Sequence, residues 1–151
     1  MRTRLPSLGV SVDLPPGWVP VQVEGTGALF APADSMERFG TEDLPIGVAF
    51  RAVHRPGDVQ TWAEGVMARH VGQGQQEWDE TEVAGCPVVV AAWTDGVADV
   101  VTAFLTRGDG GLKVEHWSMA LGPARAHDSP AEPRALLQEI LLSIRWLDEI
   151  R

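Results

Sequence analysis

The sequence predicts an α+β domain in which an antiparallel β-sheet of about six strands is covered by helices on both faces, as an α/β/α sandwich. Three successive strand patterns, at residues 87–94, 98–107 and 112–121, are separated only by short turns rich in Gly and Asp, which predicts an antiparallel meander. The middle strand is apolar on both of its faces, so each face needs a cover. Two amphipathic helical patterns, beginning near Asp58 and Ser129, supply that cover.

The first third of the chain contains further strand patterns. Residues 8–12 and 19–23 alternate apolar with small or polar side chains on either side of the segment LPPGW, which predicts two short strands joined at a proline turn. A helical turn is expected near residues 35–39. Residues 46–53 are apolar at nearly every position, and this predicts a central strand that is covered on both faces.

Capping signals mark where the two helices begin. Asp58 is an N-cap candidate that precedes apolar residues at spacings of three and four. Ser129 is followed by Pro130 and then by Glu132, which is the pattern of a capping box with proline at the first helical position. The apolar stripes that face the sheet are Val59, Trp62, Ala63, Val66, Met67 and His70 in the first helix, and Leu136, Leu137, Ile140, Leu141 and Ile144 in the second.

Composition and charge argue against several classes of function. The 151 residues include 12 Lys and Arg against 21 Asp and Glu, a net charge of −9, and Lys113 is the only lysine. No basic stripe is available to neutralise phosphates, so we expect no nucleic acid partner. Because no apolar run reaches the roughly 20 residues of a membrane span and the first residues lack the apolar stretch of a secretory signal, we expect a cytoplasmic protein without membrane association.

An acidic segment predicts an edge strand and a candidate partner surface. Glu77, Asp79, Glu80 and Glu82 lie within six positions, and charges of this kind discourage unwanted pairing at a sheet edge. Among the six tryptophans, Trp78 is the one that we expect to be exposed. An exposed Trp beside acids suits a partner that carries Arg or Lys. The alternative interpretation is that these charges only solvate the strand.

The third strand of the meander carries a second candidate surface. Trp117 and Met119 lie on one face of this strand and His116 lies on the other. We expect Trp117 and Met119 to pack under a helix, because aromatic and Met side chains commonly fill the gaps between a sheet and a helix. The alternative is that the helix covers this face only in part, so that Trp93, Trp117 and Met119 line an apolar recognition groove.

The sequence contains no recognised catalytic or metal-binding pattern. The single cysteine, Cys86, cannot form an internal disulfide, and it lies between Gly85 and Pro87 without a helix N-terminus that would activate a thiol. A thiol hydrolase that pairs Cys86 with one of the four histidines is therefore only a third hypothesis. The histidines lie on separate elements without metal-ligand spacing. We expect a protein that is not an enzyme and that holds no cofactor or metal.

The order of these elements resembles the PsbP-like superfamily, which includes the Ran-binding Mog proteins, the actinobacterial LpqN lipoproteins and small bacterial cytoplasmic relatives. The resemblance is carried by VSVDLPPGW at 10–18, ALFAP at 28–32, the strand at 46–50 before a Trp-bearing helix, GCP at 85–87, the meander and the stripe at 136–144. It implies a curved antiparallel sheet between helices and a role in binding other proteins. The chain lacks the lipid-attachment cysteine of the lipoprotein members and any residue set that matches the Ran-binding surface.

Two classes of function follow from these observations. The first is a non-catalytic adaptor or chaperone-like protein, one PsbP-like domain across residues 1–151, that binds another polypeptide of unknown identity. The second is a carrier that holds a small apolar ligand between the sheet and a helix. Formation of a homodimer through an exposed sheet edge stays open at this point.

Overall fold

The computed structural model describes residues 2–41, 44–70, 76–94, 98–119 and 131–149. The described strands are β1 (Arg2–Leu5), β2 (Val10–Asp13), β3 (Trp18–Glu24), β4 (Gly27–Pro32), β5 (Ile46–His54), β6 (Glu77–Val83), β7 (Cys86–Thr94), β8 (Ala98–Arg107), β9 (Gly110–Met119) and β10 (Arg145–Trp146). The described α-helices are α1 (Ala33–Phe39), α2 (Val59–Met67) and α3 (Ala131–Leu142). Short 3-10 helices are found at Pro6–Leu8, Ala68–His70 and Leu147–Glu149.

Seven strands form a large antiparallel sheet in the order β3-β4-β5-β9-β8-β7-β6. Strands β7, β8 and β9 are the predicted meander, and β6 precedes them as the predicted edge strand. A second, three-stranded sheet has the order β1-β2-β10. The α+β class and the antiparallel sheet are thus confirmed, but the large sheet has seven strands rather than about six, and the small sheet was not predicted.

One face of the large sheet, which we call the closed face, is packed against α3 and the small sheet. This face and its cover form the larger hydrophobic core of the protein. The predicted stripe of α3 lies in this core, with Leu137, Ile140, Leu141 and Ile144 buried and Leu136 partly buried. The rings of Phe30 and Phe50 meet edge to face in the same core, with centroids 5.9 Å apart.

The opposite face, which we call the open face, is covered only in part. Asp58 caps α2 as predicted, since its Oδ2 accepts a hydrogen bond from the Thr61 amide at 3.0 Å. The helix packs across β7 and β8, where a smaller core contains Ala63, Met67, Val89, Ala91 and Phe104. Strands β9, β5 and β4 continue beyond α2. Most side chains that these strands place on the open face are exposed or half-buried, among them Leu29, Ala49, Arg51, Val53, Glu115 and Trp117, whereas Ala31 of β4 is buried.

The two short strands joined at the proline turn are confirmed as β2 and β3. They do not pair with each other, because the LPPGW segment carries the chain from the small sheet to the large one. One expectation about the strands is wrong. β5 is central, but only its closed-face side chains, such as Val48 and Phe50, are deeply buried, whereas Arg51 is exposed. A helix at residues 35–39 is confirmed by α1. The capping residues Ser129 and Pro130 lie outside the described residues, as does the side chain of Glu132.

Candidate functional site

The first candidate site is the edge strand β6. It pairs along its whole length with β7, and on its other side it pairs with no strand in the described part of the chain. Its side chains are exposed from Glu77 to Glu82, and Val83 is buried. Trp78 is 40% exposed, which confirms the predicted position of this ring.

The register between β6 and β7 divides the acidic residues between the two faces of the sheet. Trp78 lies opposite Ala91 and Glu80 opposite Val89, which places both on the open face together with Glu82. Glu77 and Asp79 lie opposite Ala92 and Val90, on the closed face. The five residues that the sequence assigns to one partner surface therefore line both sides of a single strand edge.

A narrow groove runs along the closed-face side of β6, between this strand and α3. Its volume is about 180 Å³. Apolar side chains form its floor: Val90, Ala92, Val101, Leu137 and Leu141. Leu142 lies at its rim and is 66% exposed, and Arg134 of α3 forms an ion pair with Glu77 across it. The groove thus offers apolar contact beside an unpaired strand edge.

The second candidate site is a trough on the open face, about 830 Å³ in volume and open to solvent. Residues of α2 form one bank, the hairpin of β3 and β4 forms the other, and β5 and β9 provide the floor. The residues that reach it include Glu24, Leu29, Ala49, Arg51, Trp62, Val66, Arg69, Lys113, Glu115 and Trp117. The sequence analysis did not predict this trough, because its position depends on which strands α2 covers and on the order of the strands in the sheet.

Two tryptophan rings of the trough lie directly on strand glycines. A Cβ atom at Gly47 would come within 2.6 Å of the Trp117 ring, and one at Gly111 within 2.9 Å of the Trp62 ring. The Trp117 ring is held further by its indole nitrogen, which donates a hydrogen bond to the Leu44 carbonyl at 3.2 Å. Glycine inside a strand pattern is a known sign of such close approach, and Gly47 within the predicted strand at 46–53 was the available signal for the Trp117 ring.

Two residues of the predicted apolar groove have described side chains, and the register places Trp93 and Trp117 on the same face of the sheet, on either side of Val100. Trp117 is half-buried and lines the trough, whereas the main sheet contacts of α2 are with β7 and β8. Trp93 instead packs against the smaller core under α2. The side chain of Met119 lies outside the described residues.

Three cations line the trough of a protein whose net charge is −9. Arg51 of β5 and Lys113 of β9 are directly opposite each other in the sheet register, and Arg69 follows α2 on the bank. Two acids also line the site, and each has a hydrogen-bond partner of its own. Glu24 accepts from Gln22 Nε2 at 2.7 Å, and Glu115 accepts from Thr102 Oγ1 at 3.4 Å.

Two titratable side chains, His116 and Cys86, are buried in the core. His116 lies on the closed face, and its Nδ1–H donates to the Gly47 carbonyl oxygen across 2.8 Å. Burial lowers the pKa of His116 below its ordinary value of 6.5, and the bond to Gly47 opposes this shift in smaller measure. Cys86 is buried at the start of β7.

The described residues offer neither a metal site nor a helix that could cross a membrane. Within the five described ranges, no group of three or more His, Cys, Asp or Glu side chains is placed to hold a metal ion. No described helix has both the length and the apolar composition needed to cross a bilayer.

Comparison with known proteins relates the chain to others by its fold. No protein-family model matches the sequence, and no curated protein matches it. The solution structure of cyanobacterial PsbP (CyanoP) from Synechocystis sp. PCC 6803 is similar over 97% of this chain and 91% of that one, with a TM-score of 0.62 and 12% identity. A crystal structure from Bacteroides thetaiotaomicron VPI-5482 is similar over 96% of this chain, with a TM-score of 0.55 and 9% identity.

These two likenesses differ in extent. The chain spans about half the length of the Bacteroides protein, 47% of it, but nearly all of the cyanobacterial one. At such low identity the similarity concerns architecture alone. The chain therefore has a PsbP-like fold.

Proposed function

We propose that this protein is a non-catalytic protein-binding module that captures an extended segment of its partner by strand addition at β6. The observation that carries the proposal is a seven-residue strand edge, unpaired within the described chain, with Trp78 on one side and an apolar groove on the other. In strand addition, backbone hydrogen bonds supply affinity, and contacts to alternate side chains supply specificity. The sequence resemblance to Mog and LpqN proteins supports the same class of function.

The two edges of the large sheet differ in how they are protected. The β3 edge contains Pro20, which has no N–H to donate, and its pairing with β4 shifts register between Pro20 and Gln22. The β6 edge has no proline and keeps an unbroken register from Glu77 to Val83. Charge is its main protection, and charge is selective because it repels acidic segments and admits basic ones.

The geometry of β6 defines the partner segment. An added strand would point alternate side chains to the two faces of the sheet. Those on the open face would meet Trp78, Glu80 and Glu82, which suit Arg or Lys through ion pairs and stacking on the indole ring. Those on the closed face would lie over the groove beside Leu142, which suits an apolar side chain. The partner is therefore a basic segment that alternates apolar with cationic residues.

The test uses a fluorescein-labelled peptide that alternates valine with lysine, and measures its binding by fluorescence anisotropy. Trp78→Ala should leave folding intact and weaken binding by about tenfold or more, the effect of losing an aromatic anchor. Val23→Ala is the matched control, because Val23 is a 52% exposed apolar residue on the β3 edge. It should bind the peptide as the wild type does.

Three outcomes would contradict the proposal. They are an unfolded Trp78→Ala variant, equal binding by Trp78→Ala and the wild type, and equal weakening by Val23→Ala. Increased protection from hydrogen exchange at the β6 amides that point away from β7 would support strand addition, since an added strand would pair with them.

The second hypothesis from the sequence is a carrier of a small apolar ligand held between the sheet and a helix. The space between α2 and the sheet is filled by the smaller core, so a carried ligand would have to occupy the trough instead. Mass spectrometry of the gently purified protein separates the two functions, because a co-purifying small molecule supports the carrier and a bound polypeptide supports the binding module.

A further inference from the structure

We propose that the trough on the open face is a docking site for an amphipathic helix of a partner protein, whose carboxylates are received by Arg51 and Lys113. This inference is independent of strand addition at β6, because it concerns other residues and a partner of opposite charge. Its starting point is the pair of cations on the trough floor.

Arg51 and Lys113 are a like-charge pair in the sheet. They face each other in the register between β5 and β9 and project on the same face. Residues in this relation have Cβ atoms about 4.5–5.5 Å apart, and like charges there destabilise a sheet. A sheet position that is selected only for stability would carry opposite charges or an apolar pair. The pair is explained if the two cations receive an anion from outside the chain.

Two acids, Glu24 and Glu115, lie in the same trough, but neither forms an ion pair with Arg51 or Lys113. Neither Arg51 nor Lys113 forms an ion pair with another described residue. Glu115 is two positions along β9 from Lys113, on the same face, and its Oε1 is bonded to the Thr102 hydroxyl. Arg69 adds a third cation on the α2 bank. The trough lining thus has three cations against two acids, Glu24 and Glu115, on a protein whose net charge is −9.

The dimensions of the trough favour a helix over a small molecule. α2 packs across β7 and β8, so a second helix beside it at the usual interaxial distance of about 8–10 Å would lie over β9 and β5, the two strands of the trough floor. An α-helix with its side chains is about 10–12 Å across. A small ligand would stay exposed on its outer side, whereas binding pockets bury most of a ligand's surface, about 70–90%. A docked amphipathic helix needs no further cover, because its polar outer face can remain in contact with solvent.

The floor fits one face of such a helix. Apolar contact is available at Trp62 near one end of the trough, at Trp117 near the other, and at Leu29 and Ala49 between them. Both rings are already held in place on glycines, so docking does not have to order them. A helix with leucines at spacings of three and four and glutamates beside them matches this arrangement.

The probe is a fluorescein-labelled peptide of about 18 residues, or five helical turns, with leucine and glutamate on one face. The control peptide has glutamine in place of each glutamate. In anisotropy titrations the acidic peptide should bind the wild type, and the glutamine peptide should bind about tenfold or more weakly. Arg51→Gln and Lys113→Gln should each weaken the acidic peptide by a similar factor. Arg145→Gln, which removes an exposed cation of the small sheet, should leave binding unchanged.

Stability provides the readout that separates binding from a structural role. Neutralising either member of a repelling pair should leave the melting temperature equal to that of the wild type or raise it. A fall in melting temperature for Lys113→Gln would mean that the pair supports the fold, and it would overturn the proposal.

Four binding results would also overturn it: no saturable binding of the acidic peptide by the wild type, equal affinity for both peptides, equal loss of affinity in Arg145→Gln, and binding of N-acetylglutamate as tight as that of the peptide. The last result would identify a small-anion site. A concentration-dependent dimer that Lys113→Gln dissociates would instead place the acidic β6 of a second copy in the trough, and would equally exclude the partner helix. These outcomes can be distinguished from a failure of the proposed strand addition at β6, because Trp78→Ala should leave binding of the acidic peptide unchanged.

Discussion

β5 shows the difference between the two faces of the large sheet within one strand. On the closed face, Val48 and Phe50 are buried under α3 and the small sheet. On the open face, Ala49 is half-buried and Arg51 is exposed in the trough. The same backbone thus provides core packing on one side and a charged surface on the other. Because the closed face carries most of the buried apolar area, the open face is free to hold charges that do not help folding.

The largest expected effect compares Phe50 with its neighbour Arg51. Phe50→Ala should lower the free energy of unfolding by about 3–5 kcal/mol, because it removes a fully buried ring from the closed face. Arg51→Ala should change it by no more than about 0.5 kcal/mol. Urea denaturation followed by circular dichroism measures both. Similar losses in the two variants would show that the faces do not differ in stability as described.

A smaller effect is expected at Gly47, where a side chain would project onto the open face against Trp117. Gly47→Ala should destabilise by about 1–3 kcal/mol, because the new methyl group would displace the Trp117 ring on the open face. Gly65→Ala is the control, since a Cβ there meets no atom within 4 Å, and an exposed helical Gly to Ala change should stabilise by about 0.5–1 kcal/mol. If Gly47→Ala melts at the wild-type temperature with unchanged tryptophan fluorescence, the ring does not lie on the glycine.

The smallest expected effect is on the pH dependence of the free energy of unfolding, and it concerns His116 on the closed face. Its pKa is lowered by burial, so below pH 6.5 the unfolded chain takes up a proton that the folded protein does not. Stability from this group is therefore fully present above pH 6.5 and declines as the pH falls towards the lowered value. His116→Gln should flatten the dependence of unfolding free energy on pH in this window. An unchanged slope in His116→Gln would refute the assignment.

The features that could be predicted from the sequence are those with a local signal. The Asp58 cap, the stripe of α3, the meander and the acidic edge strand with exposed Trp78 all depend on residues close together in the chain. The sequence also predicted the proline turn after β2, but it did not predict that the strand after the turn joins a different sheet. A turn signal says that the chain changes direction, and it does not say which sheet receives the next strand.

The trough depended on relations between distant segments. Arg51 and Lys113 are 62 positions apart, and no periodicity in either strand indicates that the register of β5 and β9 sets them opposite each other. The sequence also did not show how much of the sheet α2 covers, because an amphipathic stripe indicates that a helix packs on a sheet but not which strands lie beneath it.

The amino-acid sequence by itself determined the elements, their apolar faces and the charge of the β6 edge, because backbone propensity, side-chain period and capping act over a few residues. Only the tertiary structure decided that one face closes and the other stays partly open, that β2 joins a second sheet, and that two cations meet on the trough floor. The physical reason is that strand order and register follow from the packing of all the elements together, and no single segment carries that information.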